Sequence, residues 1–137
     1  MTPPDSQPPD QFSIGSSIPV LKMLDEAAAI AFYLDYLGYQ IDWEHRFNPD
    51  IEGSPLYMQI HLGGSVLHLD GHAEADAPVA EVRIPVVGLD AYHQSLSDRS
   101  DVRETPDIAD PRYEGKGTDL NLTDPSGNLL VFWRREG

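Results

Sequence analysis

The chain contains no cysteine. That excludes a disulfide framework and thiolate chemistry, and it leads to the expectation of a cytoplasmic protein. Cationic side chains are scarce as well: nine Lys and Arg stand against 23 Asp and Glu, a formal net charge of -14 over 137 residues. Such a surface repels phosphate backbones and anionic lipid head groups, so neither nucleic acid nor a membrane is expected as a partner, whereas cationic small molecules are attracted. No apolar run approaches the ~20 residues of a membrane-spanning helix. The first residues lack a basic, apolar secretory pattern and are rich in proline, which predicts a mobile arm over residues 1–13 followed by one domain over residues 14–137. Nucleophile-elbow, phosphate-loop and dinucleotide-binding motifs are all missing.

What is present is one plan, written twice. Ile18 to Met23 reads as a strand, and Asp25 stands at a helix N-cap position. Ile30, Tyr33, Leu34 and Leu37 recur at helical spacing, and Gly38 supplies the stop. Tyr39 to Phe47 reads as a second strand. Leu56 to Leu62 and Ser65 to Asp70 read as a hairpin turning at Gly63-Gly64. After a small, polar linker from His72 to Pro78 the plan recurs. Glu81 to Val87 is a strand, Leu89 to Ser97 a helix and Val102 to Pro106 a short strand. Asp119 to Thr123 and Asn128 to Arg134 are strands around the Asp124 to Gly127 turn. The reading is α+β: two βαβββ modules, over about 16–71 and 80–135. Neither can bury its sheet alone, and together they form an open, curled half-barrel with helices on the outer face.

Strand phase divides the residues by face. With Gly63-Gly64 as the turn, Gln59 lies opposite His68 and Tyr57 opposite Asp70. Met58, Ile60, Leu62, Leu67 and Leu69 then share an apolar face toward the helices, while Tyr57, Gln59, His61, Val66, His68 and Asp70 share the other. The second half divides likewise, placing Glu81, Arg83, Asn121 and Trp133 on its inner face. Side chains of this mix suit a ligand cleft, and a solvated sheet face gives the same alternation. Trp43 and Phe47 can stack on flat rings, and Tyr113 sits in the loop read from Ile108 to Gly117. The candidate ligand residues are therefore Trp43, Phe47, Tyr57, Gln59, His61, His68, Asp70, Arg83, Tyr113, Asn121 and Trp133.

Four segments carry a family resemblance: Ile18 to Met23, Ala31 to Tyr39, Val66 to Leu69 and Thr123 to Phe132, the last containing the phrase Asp124-Pro125-Ser126-Gly127-Asn128. In this order they resemble the glyoxalase/bleomycin-resistance family of the vicinal-oxygen-chelate superfamily. Val66 to His72 and Asp42 to Phe47 most resemble the bleomycin-resistance branch. In the family's enzymes a divalent metal is held from four strand positions, and by resemblance these fall on Ile18, His68, Glu81 and Val131. Only His68 and Glu81 carry donors, fewer than the three protein ligands of most catalytic sites. The resemblance thus implies a protein that binds a bleomycin-type antibiotic and sequesters it without turnover, as a homodimer with clefts at or near the subunit interface. Its ligand would be a cationic or aromatic small molecule, and no cofactor is expected. The alternative is a metal-dependent lyase, isomerase or dioxygenase, with His61 or His72 as a third ligand to a divalent metal.

Overall fold

The computed structural model describes residues 11–110 and 117–136. In chain order the elements are β1 (Val20–Lys22), α1 (Glu26–Ile30), a π-helical segment (Ala31–Leu37), β2 (Gln40–Arg46), β3 (Leu56–Leu62), β4 (Ser65–Asp70), β5 (Glu81–Val86), α2 (Leu89–Ser97), β6 (Asp119–Thr123) and β7 (Leu129–Arg134). The strands form two sheets, ordered β1-β4-β3-β2 and β5-β7-β6. In each, the first strand runs parallel to the last and the remaining neighbours are antiparallel. The fold is the expected α+β pair of modules with an open sheet in each.

Asp25 caps α1 by accepting the Ala28 N–H through its carboxylate. The helix expected to run unbroken to Gly38 changes at Ala31 to the wider π form, which turns Phe32, Tyr33, Tyr36 and Leu37 together into the core. Gly38 ends it at φ +99°, in the left-handed region where a side chain is strained. The β3–β4 hairpin has the expected register, Gln59 opposite His68 and Tyr57 opposite Asp70. Just beyond β4, Gly71 is packed so tightly that an added Cβ would stand 2.5 Å from the Leu56 carbonyl oxygen.

One expected element is not formed. Val102 to Pro106 makes no strand, so among the described residues the second sheet has three strands, and an isolated bridge from Ala109 to Asp119 lies beside β6. Pro106 has no N–H to give to a ladder, and Arg103 and Thr105 turn to the other module. The Arg103 guanidinium lies 5.0 Å from the Phe32 ring centre, and Thr105 bonds the Tyr36 hydroxyl.

The apolar faces of both sheets and the helices share one core, in which Met58, Ile60, Leu67 and Leu69 meet Tyr33, Leu120, Leu130 and Phe132. A buried polar hub ties the halves together. The Asp124 carboxylate accepts the Tyr33 hydroxyl at 2.6 Å, the Asn128 side-chain amide at 2.8 Å and the backbone N–H groups of Ser126 and Asn128. Asn128 in turn donates to the Lys22 carbonyl at the end of β1 and accepts the Ala80 N–H just before β5. The turn phrase that carries most of the family resemblance thus holds the modules together. Among the described residues no helix is long and apolar enough to cross a membrane.

Candidate ligand site

The polar face of the first sheet carries a continuous hydrogen-bonded row. Tyr57 Oη meets His68 Nδ1 at 2.8 Å, and His68 Nε2 meets Gln59 Oε1 at 2.9 Å. Gln59 Nε2 donates to Asp42 Oδ2 at 3.0 Å, and Asp42 Oδ1 takes His61 Nδ1 at 2.5 Å. Proton placement follows from the ends of the row. A carboxylate only accepts, so the Gln59 amide nitrogen faces Asp42 and its oxygen faces His68. His68 therefore carries its proton on Nε2 when neutral, and Nδ1 accepts from Tyr57. The hydrogen bond from Gln59, the larger cause, and that from His61 hold the Asp42 carboxyl below the usual carboxylate range. Burial and the charge of Asp70 push the Tyr57 phenol up. Long-range ¹H–¹⁵N NMR at a pH where His68 is neutral is expected to show the proton on Nε2; a proton on Nδ1 would contradict the row as drawn.

Aromatic rings flank this row. Trp43 stacks on Tyr57 with ring centres 6.0 Å apart and planes 13° from parallel, and His68 meets both rings edge-on at 5.3 and 5.2 Å. Trp43 stays 44% exposed, so the indole is open to a further ring. Phe47, 70% exposed, meets His72 edge-on, and the Asp70 carboxylate accepts the His72 N–H.

Asp42 was not among the expected site residues. Strict alternation sends it to the face opposite Trp43, but the β2–β3 register shifts between Ile41 and Trp43. This bulge lets adjacent residues serve one face. Alternation carries no signal for such a shift.

The structure brings Trp43, Tyr57, Gln59, His61, His68 and Asp70 onto one face, with Phe47 near its end. It does not bring Arg83, Asn121 and Trp133 there, since these belong to the second sheet. Arg83 reaches Asp119 at 3.5 Å, Asn121 is exposed and Trp133 is half-buried beside Pro85 and Asp119 in register. Tyr113 lies outside the described residues. A cavity of about 680 Å³ opens elsewhere, between the β3–β4 turn and β5, and among the described residues Arg83 is the one expected ligand residue that lines it.

Comparison with known proteins gives the family. The family model described as glyoxalase superfamily protein matches residues 5–137. The chain belongs to the glyoxalase superfamily. No curated protein matches the sequence. Among solved structures, this glyoxalase-superfamily chain is similar to a bleomycin-binding protein from bleomycin-producing Streptomyces verticillus, in complex with copper(II)-bleomycin: 23% identity, TM-score 0.62, covering 92% of this chain and 100% of that one. An antibiotic-binding protein from Streptomyces sp. CB03234 has 18% identity and a TM-score of 0.64 over 92% and 100% of the two chains. A genomically encoded fosfomycin resistance protein from Listeria monocytogenes has 13% identity and a TM-score of 0.61 over 92% and 94%. Identities this low establish the shared fold. Binders and resistance proteins both occur on it, and fold alone does not separate their chemistry.

The donor set does not fit the metal that superfamily enzymes use. Both His68 nitrogens are engaged, by Tyr57 and Gln59, so a metal would have to break one of those bonds. Ile18 and Val131 offer no donor atom, so of the four positions only His68 and Glu81 carry one. Among the described residues no three His, Cys, Asp or Glu side chains are grouped to hold a metal ion.

Proposed function

We propose that this protein binds a flat, cationic small molecule on the Trp43–Tyr57–His68 face and holds it without chemical change. Antibiotics of the bleomycin type are the proposed ligand. The observation that carries the reading is the half-exposed Trp43, already stacked on Tyr57 and flanked in sequence by Asp42 and Glu44. A tryptophan face attracts a cation by roughly 0.5–2 kcal/mol, and the net charge of -14 draws such ligands in. A row in which each polar group already has a partner suits recognition, because it fixes donors and acceptors in place. The names of the similar structures, bleomycin-binding and antibiotic-binding proteins, support the same reading.

A second copy completes the cleft in this proposal. Among the described residues the outer edges of β1 and β5 have no strand partner, and Ile18 and Val20 are exposed at the first of them. Pairing these edges between copies would set the aromatic face of one chain beside the Asn121–Trp133 face of the other. Sedimentation velocity is expected to give a dimer.

Calorimetric titration with bleomycin is expected to show micromolar or tighter binding, and Trp43→Ala to weaken it at least about tenfold, about 1.4 kcal/mol. No binding at micromolar protein, or equal binding by Trp43→Ala, would remove the assignment.

A further inference from the structure

We infer that the cavity between the β3–β4 turn and β5 is a second binding site, for a small carboxylate with an apolar body. At about 680 Å³ it falls within the roughly 300–1,000 Å³ of small-molecule pockets. Its walls are largely hydrocarbon: Leu62 and Val66 on one side, Val82, Ile84 and Val86 on the other, with Phe132 also lining it. The charged groups lining this apolar volume are of one sign. Arg83 and Arg135 both line it, and among the described residues no Asp or Glu does. In a chain with 23 acidic and nine basic residues, a cavity with two guanidiniums and no carboxylate is a local reversal of charge.

Neither guanidinium is fully used. The Arg135 side chain has no hydrogen bond or ion pair among the described residues, although its backbone N–H is bonded to Val86. Arg83 meets Asp119 at 3.5 Å and remains half-exposed. The Tyr39 and Ser65 hydroxyls, 2.7 Å apart, add a donor to the lining. A guanidinium offers a planar fork that matches a carboxylate, and the Val, Leu and Phe walls would take the rest of the molecule out of water. A cationic ligand of the kind proposed for the aromatic face would be repelled here, so the two sites select opposite charges.

The probe is octanoate, titrated into the full chain by calorimetry and followed by ¹H–¹⁵N NMR, with octanamide and octyltrimethylammonium in parallel and 2-naphthoate to compare an aromatic with a straight-chain body. Saturable octanoate binding is expected, with the amide at least about tenfold weaker and the ammonium not bound. Amide shifts are expected at Ser65, Val66, Val82 and Val86 and not at Trp43 or Tyr57. Arg135→Gln and Arg83→Gln are each expected to weaken octanoate about fivefold or more, with melting temperatures near that of the parent because both side chains are substantially exposed. No saturable binding of either carboxylate, equal affinity for octanamide, or shifts confined to the aromatic face would overturn the proposal. The bleomycin titration has a separate outcome, so either site can fail without the other.

Discussion

Asn128→Ala is expected to lower the free energy of unfolding by about 4 kcal/mol, with a fall in Tm of about 10–20 °C for a domain of this size. The Asn128 side chain is fully buried. It donates to the Lys22 carbonyl and to Asp124 and accepts the Ala80 N–H, so alanine strands groups on both sheets at once. Each buried polar group left without a partner costs about 1–3 kcal/mol. Asp124→Ala should be of similar severity, since it removes the acceptor of Tyr33. Thermal and urea unfolding followed by circular dichroism measure both. Asn121→Ala, an exposed asparagine in β6, is the control and should stay within about 0.5 kcal/mol of the parent. An Asn128→Ala protein as stable as that control would show that the turn is not the clamp between modules.

The protein is also expected to lose roughly 4 kcal/mol of stability between pH 9 and pH 11. Burial, and next to it the Asp124 charge, push the Tyr33 phenol far above its usual value, and burial pushes Tyr39 up to about 12. The unfolded chain ionises both near pH 10, while the folded chain keeps them neutral. Their contribution is therefore intact below about pH 10 and drains away as pH rises, at about 1.4 kcal/mol per phenol by pH 11. The Tyr39 share stops growing once pH passes 12. Tyr92, raised mainly by burial, acts in the same direction. Tyr33→Phe should be less stable at neutral pH for want of the bond to Asp124, yet show a shallower alkaline decline. An unfolding free energy that stays level from pH 9 to pH 11 would contradict this.

Much of the fold was legible because the hairpin announces itself. Gly63-Gly64 fixes the turn, and a fixed turn with a period of two fixes every pair across β3 and β4, including Gln59 with His68. Gly38 and Asp25 marked the ends of the first helical stretch for equally local reasons. Three features depend on partners distant in sequence and left no local trace. The π turns from Ala31 answer to the aromatic packing of the core. The absence of a strand at Val102 to Pro106 follows from contacts of Arg103 and Thr105 with Phe32 and Tyr36. The bulge at Asp42 moved a carboxylate onto the aromatic face. The candidate site was legible to the same extent. Tyr57, Gln59, His61, His68 and Asp70 were placed on one face by the hairpin alone, whereas grouping them with Arg83, Asn121 and Trp133 required a relation between two sheets that alternation along a strand does not contain.

The aromatic face is proposed to hold its ligand intact. Equilibrium dialysis of the protein against bleomycin, followed by acid release and mass spectrometry of the recovered drug, tests it most directly. Saturable uptake abolished or at least about tenfold weakened by Trp43→Ala, with the drug recovered at unchanged mass, is the expected result. Drug recovered with an altered mass, or uptake independent of Trp43, would contradict it.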